Sequence, residues 1–278
     1  SDSRKEIIES EDSRLVIGEL ESETVINEQE EISKADMKSV ESIADILDFD
    51  KKQPIRLTPE KMEKVKNYWK ERYVNRKDNL HTDLIRGYRE WGSWRPYTEE
   101  KFRSVGVPVE YALLALPESS WKVDARSRKG AVGPYQFMPR TAASLKLKMN
   151  QVIDERRDPV KSAEACALVL KELHRASGDW NVALSGYNGG EAWRFIKTAK
   201  NKGQATNYDN FLIYLEENLN KIKNNLNSDK KFSHLPRAVK RKIFAQNIQG
   251  LSENLNYPPK FHAVKELVKE GQIHEQKS

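Results

Sequence analysis

From residue 54 onward, apolar residues recur at helical spacing and rarely alternate. Met62, Val65, Trp69 and Tyr73 fall three and four apart, the repeat of one helix face. Ahead of them, Thr58-Pro59-Glu60 supplies a capping hydroxyl, a proline suited to the first helical position and an acid near the positive end of the helix dipole. Further helices are predicted over 78–91 and 98–104, and Pro108 is expected to open a strongly apolar helix over 108–118. Residues 159–176 form an amphipathic stretch closed by Gly178, with Cys166 as a buried small residue in its stripe. Residues 180–200 read as helical with a break at Gly189-Gly190. Phe211, Leu215, Leu219, Ile222 and Leu226 mark one long helix; Pro236 starts another, with Val239, Ile243 and Ile248 facing inward. Sustained period-two alternation and hairpin turn pairs are missing. The expected class is mainly α, with at most a small sheet or loop region in 120–156.

Charge adds a division. Residues 1–50 carry 16 acidic and 5 basic side chains, a net of −11, whereas the whole chain carries +6. The acidic segment 1–53 reads as disordered or weakly helical, or else as packed on the basic body. The remainder divides into a helical part over 54–104, a core over 105–200 and a helical extension over 201–278. A basic body suits an anionic partner; nucleic acid and bacterial cell wall both meet that description. Apolar runs such as Tyr111 to Leu116 fall far short of the roughly 20 residues a membrane span requires. The lone cysteine cannot form an intramolecular disulfide.

The chemistry concentrates in 110–142. There an apolar helix ends on a carboxylic acid, Glu118, and a turn-rich loop with Gly130 and Gly133 follows before a new helix begins near Pro139. A carboxyl at the end of an apolar helix is poorly solvated. Desolvation raises its pKa toward the range in which it serves as a general acid. An ordinary helix-end acid turned to solvent fits the same residues.

The segment resembles the signature of the soluble-lytic-transglycosylase (SLT) domain family. The carriers are Glu118-Ser119, Ala125-Arg126-Ser127, Gly130-Ala131-Val132-Gly133, Tyr135-Gln136-Phe137-Met138-Pro139 and Thr141-Ala142. Two later blocks follow in family order, Asp154 to Pro159 and Gly178 to Glu191, the second containing Tyr187-Asn188-Gly189-Gly190. The whole is most similar to the membrane-bound lytic transglycosylase D branch and is related to goose-type lysozymes. The resemblance implies a lysozyme-like helical domain that binds peptidoglycan glycan strands. It implies no cofactor, and a periplasmic or secreted location with a leader removed.

The resemblance assigns roles. Glu118 would be the single catalytic acid/base. Ser127 and Gln136 would hydrogen-bond the sugar, and Met138 and Tyr135 would line the cleft. Tyr187 would sit over the carboxyl, with Asn188 shaping the same floor. Read from the residues alone, Ser127 also fits a loop cap, Gln136 a helix-start bond, Met138 core packing and Tyr187 a core position with a satisfied hydroxyl. A single carboxylate suits a mechanism in which the muramic acid's own 6-hydroxyl attacks its anomeric carbon, because a tethered nucleophile replaces a second acid. Asp124, Asp154 and Glu191 are the acids that could orient a water instead. Each also has a structural reading: solvated loop acid, partner of a nearby arginine and helix-start acid. Three positions depart from the family pattern: Pro117 before the acid, Pro134-Tyr135, and Gly189 where alanine is usual. They open the option of a preference for deacetylated sugars.

Other classes fare worse. The five histidines are scattered without metal-ligand spacing, and no glycine-rich phosphate loop occurs. A nucleic-acid binder leaves the Glu118 to Pro139 block without a purpose. The chain is expected to be a monomer, and the rival reading is a protein that binds peptidoglycan without cutting it.

Overall fold

The computed structural model describes residues 34–49, 51–75 and 79–273. Thirteen α-helices and two 3-10 helices occupy the described residues. The expected sheet or loop region contains only isolated bridges, Arg126 to Val132, Val132 to Phe137 and Met149 to Asp154. The mainly α class therefore holds. Among the described residues no helix is long and apolar enough to cross a membrane.

The chain divides into two compact units. Unit one comprises the described residues of 69–175 and 260–273; unit two comprises those of 34–68 and 176–259.

Unit one contains α3 (Asn79–Gly92), α4 (Arg95–Ser104), α5 (Ala115–Ser119), α6 (Pro139–Ser144) and most of α7 (Pro159–Ser177). Its core holds Leu84, Phe102, Leu114, Leu116, Trp121, Tyr135, Cys166 and Leu170, all buried. Trp91 is locked by its indole N–H, which donates to Thr98 Oγ1 at 3.1 Å. Tyr111 stacks on Phe261 with ring centres 5.2 Å apart.

The helix expected over 108–118 is not one α-helix. Pro108 caps a 3-10 helix over Val109–Leu114, and α5 restarts at Ala115. Pro117 explains the restart. A proline within a continuous helix would leave a carbonyl without its donor. Here Pro117 is the third residue of α5, where a backbone N–H has no intrahelical partner in any case.

Unit two contains α1 (Lys34–Ile46), α8 (Trp180–Asn188), α9 (Glu191–Asn201), α10 (Tyr208–Ser228), α11 (Lys230–Ser233) and α12 (Arg237–Asn247). Like α7, two further helices have residues in both units, α2 (Pro59–Val74) and α13 (Gln249–Lys269). Thr58 caps α2 as expected, accepting from the Lys61 N–H at 3.4 Å. Val65, Trp69 and Tyr73 are buried along it. On α12 the buried residues are Phe244 and Ala245, with Ile248 buried at its C-cap; Val239, expected to face inward, is exposed.

Of the acidic segment, residues 1–33 lie outside the described residues. Asp50 also lies outside them, and the described residues of 34–53 belong to unit two. Asp45 pairs with Arg241 at 2.5 Å, and Asp48 pairs with Lys61 at 3.0 Å.

No periodicity announces α13, because it contains Pro258 and Pro259. Pro258 has no N–H to give the carbonyl of Asn254 four residues back. That carbonyl accepts from Ser185 Oγ at 3.0 Å instead, so the helix passes through its prolines with this buried group satisfied.

Candidate active site

Glu118 sits half-buried on the last turn of α5. The chain leaves it through two consecutive left-handed residues, Ser120 at φ 53 and Trp121 at φ 61. For side chains with a Cβ this conformation costs about 1–3 kcal/mol per residue and persists only where the surroundings enforce it. The enforcement is visible. The Ser120 N–H donates to Leu116 O at 2.9 Å and the Trp121 N–H to Ala115 O at 3.1 Å. The Trp121 ring is buried and meets Tyr135 edge-on at 6.2 Å. From the other side, α3 presses Gly87 against Ser120 so closely that a Cβ there would lie 2.1 Å from the Ser120 carbonyl oxygen.

The Ser119 hydroxyl, next to Glu118, donates to Pro134 O at 2.8 Å and ties the end of α5 to the loop carrying Gln136. The Gly133 N–H donates to Ala125 O at 3.0 Å and the Gln136 N–H to Gly133 O at 3.2 Å. Gly133 has φ +88, and a Cβ on it would fall 1.8 Å from Arg156 O. Both its conformation and its surroundings require glycine.

Arg156 clamps this loop. Its Nη1 donates to Gly130 O at 3.2 Å and to Phe137 O at 3.1 Å. Asp154 holds the guanidinium with both carboxylate oxygens, at 2.9 and 2.8 Å. Those hydrogen bonds from Arg156 outweigh partial burial and hold the Asp154 carboxyl below its ordinary value of 3.8. Asp154 thus has the arginine partner anticipated for it. The role of Arg156 was not anticipated, because the carbonyls it holds lie 26 and 19 residues away.

Gln136 is half-buried at φ 52, and its Nε2 donates to Gly133 O at 2.8 Å. The bond steadies the carboxamide from beneath. The Ser127 hydroxyl accepts from the Ala131 N–H at 2.9 Å, which is the loop-cap geometry. Met138 is half-buried at the N-cap of α6. Tyr135 departs from its expected place in the cleft wall. It is 0% exposed, and its hydroxyl donates to Ala112 O at 3.0 Å. A side chain without exposed surface supports the loop from the core and offers nothing to a ligand. Burial also pushes its phenol well above the ordinary tyrosine range.

Lys260 had no motif to reveal it. Its Nζ donates to Pro117 O at 3.1 Å, fixing the peptide just before Glu118, and lies 5.1 Å from the Trp69 ring centre. Unit one therefore gathers Glu118, Ser127, Gln136 and Met138 on one braced frame.

Tyr187 and Asn188 belong to unit two, at the end of α8. Tyr187 is half-buried and stacks on Tyr257 at 6.4 Å. Asn188 Nδ2 donates to Glu253 O at 3.2 Å. A Cβ on Gly189 would lie 2.5 Å from Asn254 Nδ2, so the space that an alanine methyl would fill is taken by an asparagine.

The other acids of the motif blocks are engaged. Asp124, largely exposed, pairs with Arg157 at 2.6 Å. Glu155 accepts from Lys161 and from the Lys148 N–H. Glu191 accepts from Arg194 and from the Tyr214 hydroxyl. Among the described residues no group of histidines, cysteines and acids could hold a metal ion.

Comparison with known proteins converges on this region. Residues 98–211 match the family model of the transglycosylase SLT domain. Over 144 residues the chain is 31% identical to the membrane-bound lytic murein transglycosylase D of Escherichia coli strain K12, and equally to that of strain O6:H1. Those alignments cover 50% of this chain and 30% of the relative. A protein of Alteromonas sp. (strain M-1) named for tributyltin chloride resistance is 36% identical over 99 residues, 34% of this chain and 48% of its own length. The chain thus spans less than a third of the length of the E. coli relatives. The resemblance read from the motif blocks holds, and with it the lysozyme-like helical fold.

Proposed function

We propose, on the premise that residues 98–211 form a transglycosylase SLT domain, that this protein cleaves the β-1,4 bond between N-acetylmuramic acid and N-acetylglucosamine in peptidoglycan. Glu118 is the single acid/base. Its proton passes to the glycosidic oxygen as the C1–O bond breaks. The resulting carboxylate accepts the proton of the muramoyl 6-hydroxyl as that oxygen bonds to C1. No water is consumed, the carboxyl returns to its starting state, and the product carries a 1,6-anhydro ring. Gln136, Ser127 and Met138 contact the sugars beside the scissile bond, and the family resemblance gives Tyr187 and Asn188 sugar-binding roles too. A periplasmic site of action follows from the substrate.

One observation carries the choice of mechanism. Asp124, Asp154, Glu155 and Glu191 are all held by cations or hydrogen bonds. Withdrawing Asp154, Glu155 or Glu191, all largely buried, from its pairing to activate water costs the interaction, whereas the exposed Asp124 pair is cheap to break. An intramolecular nucleophile requires no second acid. Hydrolysis to reducing ends, and binding without cleavage, are the competing outcomes.

The test is digestion of purified sacculi, acetylated and deacetylated, followed by mass spectrometry of the released fragments. Anhydro-muramoyl ends that disappear with Glu118→Gln are expected. Reducing ends would replace transglycosylation with lysozyme action. Absence of release from either wall would overturn the enzyme reading.

A further inference from the structure

Unit two holds an open surface cavity of about 390 Å³ lined by Lys51, Lys52, Arg237 and Lys240 and by Asn224 and Asn227. The cations come from two segments. Lys51 and Lys52 lie in the loop between α1 and α2, and Arg237 and Lys240 lie at the start of α12.

The loop is held in place rather than draped. Lys223, almost fully buried on α10, donates its Nζ to Lys51 O at 2.8 Å and Gln53 O at 2.9 Å. Phe49 stacks on Phe244 of α12 with ring centres 4.3 Å apart. These contacts fix the loop backbone that carries Lys51 and Lys52, which lowers part of the ordering cost of binding.

Basic side chains are concentrated on this face of unit two. From 230 to 252 the sequence has six basic residues and no acid. The first turn of α12 has no acid, and Arg237 and Lys240 occupy its opening, where the helix dipole disfavours cations. Nearby carboxylates are committed elsewhere in part: Asp48 is shared between Lys51 and Lys61, and Asp45 pairs with Arg241. Among the described residues, no carboxylate pairs with Lys52 or Lys240. A stretch that opposes local stability in this way is where a binding role is expected.

We infer that this cavity binds a phosphate group carried on a small polyol, of the glycerol-phosphate type. A phosphate presents enough oxygens for donors converging from several sides, and both lysine and arginine form charge-assisted bonds to it. The two carboxamides suit the polyol hydroxyls. The volume lies near the lower end for ligand pockets, in keeping with a small head rather than an extended chain. Such a group occurs as a repeating diester in a polymer or as a lipid headgroup. The site shares no residue with those assigned to glycan cleavage, so it stands or falls separately.

The experiment is calorimetric titration of the full chain with sn-glycerol 3-phosphate, then with inorganic phosphate, acetate, a glycerol-phosphate oligomer, and vesicles of phosphatidylglycerol set against phosphatidylcholine. Expected is binding that weakens with salt, prefers phosphate to acetate and falls about tenfold or more in a Lys52→Gln/Lys240→Gln variant. The exposed control Lys197→Gln leaves it unchanged, and a thermal melt confirms that each variant is folded. Preference for the oligomer or for the vesicles then identifies the source. Glu118→Gln retains the binding while losing cleavage. No binding at millimolar probe, equal binding of acetate, or binding unaffected by the double substitution would overturn the inference.

Discussion

Gly87 on α3 meets the carbonyl oxygen of Ser120 so closely that a Cβ would stand 2.1 Å from it. The contact sets the turn that follows Glu118, so a buried glycine of α3 and the proposed acid/base are mechanically linked. Replacing a mid-helix glycine by alanine ordinarily stabilises a helix by about 0.5–1 kcal/mol. At Gly87 the sign should reverse. The obstructing atom is backbone, and overpacking of this kind costs about 1–3 kcal/mol. Gly87→Ala is expected to lower the melting temperature and to reduce cleavage of sacculi beyond the loss of folded protein. An alanine variant as stable and active as the parent would break the link.

The Asp154–Arg156 pair gives a pH dependence. The hydrogen bonds from Arg156 lower the Asp154 pKa in the folded state. A depressed carboxyl contributes stability that is complete above the unfolded value of about 3.9 and is lost as the pH falls through the folded value. Asp154→Asn should therefore destabilise the protein near neutral pH, by about 1–3 kcal/mol, and the deficit should shrink at pH values below about 4. Melting temperatures of both proteins across that range check it; a constant deficit would argue against the pair as its source.

Tyr135 provides a test that separates support from contact. Tyr135→Phe removes a buried hydroxyl and leaves the Ala112 carbonyl without that donor, at a cost of about 1–3 kcal/mol. A core role predicts lower stability with KM for glycan fragments unchanged. A raised KM at full stability would return Tyr135 to the ligand.

Much of this fold was legible because periodicity reports burial. The spacing of Val65, Trp69 and Tyr73, or of Phe211, Leu215 and Leu219, translates directly into a buried face. Caps such as Thr58 act within one turn and are read locally. The misreadings have a shared physical origin in contacts distant along the chain. Pro258 and Pro259 break a helix unless another group answers the freed carbonyl, and the one that does, Ser185, lies 69 residues from Asn254. Val239 has the right spacing but is exposed. In the candidate site, motif order singled out Glu118, Gln136 and Ser127, which all fall in unit one. It gave no sign that Arg156 clamps the loop or that Tyr135 lies beneath it, because both depend on the loop folding back on itself.

The Gly189 departure has its counterpart in Asn254, and the pairing makes a coupled prediction. The Asn254 carboxamide accepts from the Ala192 N–H at 3.3 Å and donates to Gly250 O at 3.1 Å. An alanine at 189 would drive its methyl to 2.5 Å from Asn254 Nδ2. Gly189→Ala alone should cost about 1–3 kcal/mol by overpacking, and Asn254→Ala alone a similar amount through the lost hydrogen bonds. In the double variant the new methyl occupies space that the carboxamide has left, so the clash is absent and the losses should add to less than their sum. A double-mutant cycle from denaturant unfolding reads the coupling directly, with about 0.5–3 kcal/mol expected for residues in contact. Strict additivity would mean that Gly189 is tolerated for some reason other than the asparagine packed against it.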